Sequence, residues 1–197
     1  MSFQRGSSLV ELALGLAILG FMASLVWPGL NELRRSALSA AGARHLAVTF
    51  HGLRWQAVAG GRAQGLLFSR DAAGWSWLRV SDGNGNGLRT AEVQTGTDLT
   101  LSGPHRLEQV ARGVTLGFPP GGPFPKVPPG VGWIEGLDDP IRIGNSELVS
   151  FGPLGTSSSG TIYLTDSRRR LYAVVLYGKT ARVRVWRYDA EAAQWSS

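Results

Sequence analysis

The chain has 197 residues, 43% hydrophobic and 17% charged, which supports one modest packed domain with an appendage and excludes global disorder. A net charge of +6 favours contact with polyanions such as nucleic acid or anionic lipid. No cysteine occurs, so disulfides and thiolate metal sites are excluded while the compartment stays open.

Residues 5–30 read RGSSLVELALGLAILGFMASLVWPGL. From Leu12 to Leu30 there is no charge for 19 residues, a helix of roughly 28 Å against a bilayer core of roughly 30 Å. Arg5 precedes the run and Arg34 and Arg35 follow it, so flanking charge gives no clean orientation. A cleaved secretory signal would use the small residues SAAGA at 39–43. The apolar run is too long for that reading, and the charged NELRR segment separates it from the small residues. An ordinary signal anchor accounts for the length but leaves Glu11 as an unexplained cost, since a carboxylate in lipid marks a partner or a function.

A third reading uses every feature. Gly6 ends a short basic leader, Ser7 follows, and Glu11 stands five residues past the glycine ahead of the apolar run. This arrangement resembles the class III signal of type IV prepilins and pseudopilins. The resemblance implies cleavage between Gly6 and Ser7 by a membrane prepilin peptidase and methylation of the new amine. It also implies that Glu11 meets the positive N-terminus of a neighbouring subunit, which would satisfy a carboxylate otherwise costly in lipid. Pro28 matches a proline frequent in the family, where it kinks the helix by removing one backbone hydrogen bond. Ser7 departs from the phenylalanine preferred by major pilins.

Beyond Pro28 the helical period resumes, with Leu46, Phe50, Leu53 and Ala57 at i, i+4, i+7 and i+11, until Gly60-Gly61 stops it. A helix from Ser7 to Ala59 would be about 80 Å long. After Gly61 the stretches GLLFS, WSWLRVS, LTLSG, VTLGF, ELVSFG, TIYLT, RLYAVVLYG and ARVRVWRY predict short strands between turn residues. Residues 118–133 hold six of the ten prolines and predict a stiff irregular loop, either a structural insertion or a proline-rich ligand.

The stretch FGPLGTSSSGTIYLT, then a hairpin and ARVRVWRY, is similar to the C-terminal part of the GspH/FimT minor pseudopilins. RWQAVAGGRAQGLLF and DGNGNG match the same family, whereas the proline-rich centre matches nothing specific. The expected fold is therefore α+β and pilin-like, a long N-terminal helix packed on an antiparallel sheet body. Its parts are a leader (1–6), a transmembrane half-helix (7–30), an amphipathic half-helix (31–60) and a β-rich body (61–197).

Signals for chemistry are sparse. His45, His51 and His105 belong to no catalytic motif, so no catalytic residue and no enzyme activity is expected. GTSSSGT at 155–161 has the spacing of a phosphate loop, but Thr161 replaces the lysine and the segment enters a strand instead of opening a helix. DGNGNG places Asp82, Asn84 and Asn86 as in the first half of a calcium loop, yet the twelfth position is Val93 and Glu92 is one place off. A glycine–asparagine turn between strands is the competing reading. In TARVRVWRY, alternation sets Arg182, Arg184 and Trp186 on one face and Ala181, Val183 and Val185 on the other. Successive arginines about 7 Å apart beside an indole suit a phosphate backbone and a stacked base, with Lys179 and Arg168–Arg170 extending the positive surface. The family's DNA-binding members carry a GRxR segment there, and Ala181 replaces its glycine. The competing reading is a solvated edge strand whose arginines discourage edge pairing.

The expectation is a cofactor-free minor pseudopilin of the inner membrane, single-pass with its body in the periplasm. It would enter a type II secretion pseudopilus or a type IV pilus near the tip. Its partners would be other pilins or pseudopilins, prepilin peptidase, the inner-membrane assembly platform and the lipid bilayer. The alternative is a minor pilin that binds DNA for uptake in transformation.

Overall fold

A computed structural model of the chain describes residues 9–197, without the side chains at 23 and 25–31. Gly6 and Ser7 therefore lie outside the described residues, as does the side chain of Pro28. The chain divides into two compact units, Met1–Ala37 and Leu38–Ser197.

The first element, α1 (Leu9–Gly60), is 52 residues long and continues through position 28. Its sequence is rich in alanine and leucine, the strongest helix formers. It stops at Gly60, and Gly61 takes φ 62°, a conformation open to glycine without a Cβ penalty. From Leu9 to Met22 the helix exposes apolar side chains around its circumference: Leu9, Leu12, Leu16, Leu19 and Phe21 are all more than half exposed. Among the described residues no helix is long and apolar enough to cross a membrane. The uncharged 12–30 run includes the side chains at 23 and 25–31, so the expectation of a spanning segment rests on sequence.

In the second unit α1 buries one stripe, Ser39, Ala43, Leu46, Phe50, Leu53 and Ala57, at alternating steps of four and three. Full burial of a side chain such as Phe50 contributes about 1.5–3 kcal/mol. Two antiparallel sheets supply the rest of the unit. The first has the order β3–β2–β1–β6, from β1 (Gln64–Asp71), β2 (Gly74–Ser81), β3 (Leu99–His105) and β6 (Leu148–Phe151). The second has the order β10–β9–β8–β7–β4, with β5 also on β7. Its strands are β4 (Thr115–Leu116), β5 (Ile141–Arg142), β7 (Gly160–Thr165), β8 (Leu171–Tyr177), β9 (Arg182–Asp189) and β10 (Gln194–Ser196). The molecule is thus α+β with antiparallel sheets, and each of the eight expected strand stretches overlaps one of these strands. A six-residue helix, α2 (Thr90–Thr95), follows the DGNGNG segment, so that segment leads from a strand into a helix and is not a hairpin turn.

The main core joins the α1 stripe to both sheets: Phe50 and Phe151 rings lie 5.8 Å apart, and Leu66, Ile162, Leu164 and Val174 are buried with them. A second core lies on the other face of the second sheet. There the proline-rich segment, residues 118–134, folds back as a strap whose Phe124, Val127 and Ile134 pack on Tyr163, Leu171 and Ala173. β4 and β5 occupy the same edge of β7 in tandem, at Thr165/Leu164 and Ile162/Thr161, and the strap spans the chain between them. Its own backbone bonds, Lys126 N–H to Gly132 O at 2.9 Å and Ile134 N–H to Phe124 O at 2.8 Å, close it into a hairpin-like loop. Trp195 of β10 donates its indole N–H to Pro125 O at 2.8 Å and ties the strap to the sheet edge.

Candidate functional site

The strap covers only part of the outer face of the second sheet. Tyr163 and Ala173 lie under it, and Ala173 pairs with Trp186 across β8 and β9. The next row outward, Thr161, Val175 and Arg184, and the pair Tyr177 and Arg182 beyond it, are left open. They line a groove of about 640 Å³ together with Ser159 and Lys179. Three cations and several hydroxyls face it, and no carboxylate belongs to its lining. The β8–β9 turn at its end is pinned down: Gly178 N–H donates to Ser159 Oγ at 2.9 Å, and Ser157 N–H to Gly178 O at 2.8 Å.

The alternation expected for β9 holds. Val183 and Val185 pack toward the main core, and Trp186 packs toward the second one. That places Trp186 differently from the expected role. Its side chain is half-buried and packs against the second core, so it is not an open platform for a base. The arginine run also separates from the groove. Arg168, Arg169 and Arg170 form the β7–β8 turn, where Asp166 Oδ1 accepts their three N–H groups at 3.0 Å each. The seven residues of β8 hold that turn about 20 Å from Lys179. The edge reading is half correct, since β10 pairs with residues 187–189 of β9 and leaves 182–186 without a strand on that side.

The Asp82 loop closes on itself. Asp82 Oδ1 accepts from Gly85 N–H at 2.7 Å and Asn84 N–H at 3.1 Å, and Oδ2 from Gly87 N–H at 2.8 Å. Burial alone would raise its pKa, but these donors hold it below the ordinary carboxylate value. Asp98, buried at the foot of β3, accepts from Gly83 N–H at 3.2 Å and Arg89 N–H at 3.0 Å. The side-chain amides of Asn84 and Asn86 both donate to Glu92, at 2.8 and 3.0 Å. Of the oxygens expected to converge on calcium, both of Asp82 and the Oδ1 of Asn84 accept backbone N–H donors, and no cluster of three acidic, cysteine or histidine side chains among the described residues is placed for a metal. Sequence reading missed Asp98 because its role depends on a contact fifteen residues back along the chain.

Of the histidines, His105 Nε2 lies 3.0 Å from Ser102 Oγ and its ring is 6.4 Å from Trp77. Burial, and then the charge of His105, lower the pKa of His45 on α1. Glu11, the other expected site residue within the described range, is exposed in the first turn of α1. Comparison with protein-family models, curated proteins and solved structures finds no match to this chain.

Proposed function

We propose that this chain is a non-enzymatic structural subunit of the pilin-like type, a minor pseudopilin of a type II secretion pseudopilus or type IV pilus. Cut after Gly6, it would enter a filament through its N-terminal helix. The observation that carries the reading is the first unit of α1, apolar around its circumference and exposed from Leu9 to Met22, with Glu11 as the one ionisable group in that span. Such a surface is stable only under lipid or against other helices. Both coverings are needed in turn if the helix leaves a bilayer for a helix bundle, and a carboxylate tolerates either only with a cationic partner. The α+β body, with antiparallel sheets on the amphipathic half of the helix, is consistent with this reading.

Replacing Glu11 with leucine tests it. The variant should remain membrane-bound yet fall at least tenfold in sheared-filament fractions; unchanged incorporation would contradict the proposal. A second reading, DNA capture, is favoured by the groove cations Lys179, Arg182 and Arg184. It requires a gel shift that weakens steeply with salt and disappears in Arg182→Ala/Arg184→Ala.

A further inference from the structure

We infer that the basic groove of one copy receives the acidic loop 135–139 of the next copy, a head-to-tail contact that rests on the assembly reading above. The loop EGLDD, separated from β5 by Pro140, exposes Glu135, Asp138 and Asp139. Among the described ion pairs, Arg89–Glu92, Arg106–Asp71 and Arg170–Asp166, none uses these three carboxylates. Their charge matches the three cations of the groove. Between them stands Leu137, 37% exposed, and the groove offers half-buried Val175 and Tyr177 for an aliphatic side chain.

The loop is held in shape from within its own chain: Arg142 donates through Nη2 to the Glu135 and Gly136 carbonyls. The guanidinium takes the backbone, Asp139 Oδ1 accepts from Ile141 N–H at 3.0 Å, and Glu135 and Asp138 keep exposed carboxylates that belong to none of the described ion pairs. None of residues 135–139 lines the groove of the same copy.

An acidic peptide segment suits the groove better than a nucleic acid does. The row beyond Arg184 is closed by the strap, which leaves Tyr177, half-buried beside Arg182, as the one aromatic in the groove lining. Arg142 pairs with the groove residue Thr161 across β5 and β7, which brings the acidic loop to one rim of the groove. A long polyanion leaving by that rim meets the carboxylates of the same copy. Groove and loop are different patches of one surface, so a head-to-tail contact leaves one groove and one loop open at the ends and extends as a series, whereas a reciprocal two-fold pairing would stop at a dimer and give no ladder.

The absence of cysteine makes cross-linking clean. Two tagged full-length chains, one Lys179→Cys and one Asp138→Cys, are co-expressed, and intact membranes are treated with a short bismaleimide. Both positions are exposed, so neither change disturbs packing. The expected product is a mixed dimer present only when both chains are present, with a ladder when one chain carries both cysteines. Adding Arg182→Glu/Arg184→Glu to the first chain should reduce the product at least tenfold. No mixed product, a product from either chain alone, or one abolished by nuclease would overturn the contact, the last assigning the groove to nucleic acid. N-terminal sequencing of the same sample separates the two failures: a start at Ser7 without cross-link removes the contact alone, and a retained Met1 removes the assembly reading as well.

Discussion

A Cβ placed on Gly160 would overlap the carbonyl oxygen of Arg142 and come within 2.9 Å of the Ile143 Cα. The glycine of the G-T-I stretch is therefore required where β5 crosses the start of β7. Gly160→Ala should destabilise the body by about 1–3 kcal/mol, measured by urea titration of the detergent-solubilised chain, without altering membrane attachment. Ala181 supplies the contrasting case. It holds φ 46° with its methyl buried, a left-handed conformation that a glycine would adopt without a Cβ penalty. His45 gives a pH test. Burial, followed by the charge of His105, lowers its pKa from 6.5, so between that value and the lower folded one the unfolded chain binds more protons. Stability should then rise with pH through this window, and thermal melts at pH 5 should lie below those at pH 7.5. His45→Gln should flatten that part of the profile.

The strap is the element least visible from sequence. Its prolines and glycines carry no helical or strand period, so the sequence predicts only a stiff loop; the covering of the second sheet arises from Phe124, Val127 and Ile134 meeting residues dozens of positions away. β5 and β10, two and three residues long, are likewise too short to leave a pattern. The α1 stripe and the arginine alternation of β9 were legible because burial repeats there at 3.6 and 2 residues. What alternation could not show is that a distant segment covers Trp186 and leaves Arg182 and Arg184 open. Phe124→Ala should loosen the strap by about 3 kcal/mol. Trypsin cleavage after exposed Lys126 should accelerate at least tenfold, and the emission of Trp186 and Trp195 should shift to the red, while unchanged proteolysis would place the strap's stability elsewhere.

For the molecule as a whole, the two units carry different requirements. The body buries much of its apolar surface in two cores on opposite faces of one sheet. The first unit of α1 does not: its leucines remain exposed along with Glu11, so it needs a lipid or protein environment supplied from outside. Removal of a leader is what would provide a free amine close to Glu11 in a neighbouring subunit, and it links the glycine–serine junction to the carboxylate five residues past that glycine. N-terminal sequencing of the protein extracted from membranes of its native cells tests this directly. The account predicts a chain beginning at Ser7, with or without a methyl group on its nitrogen, and a chain that still begins at Met1 would contradict it.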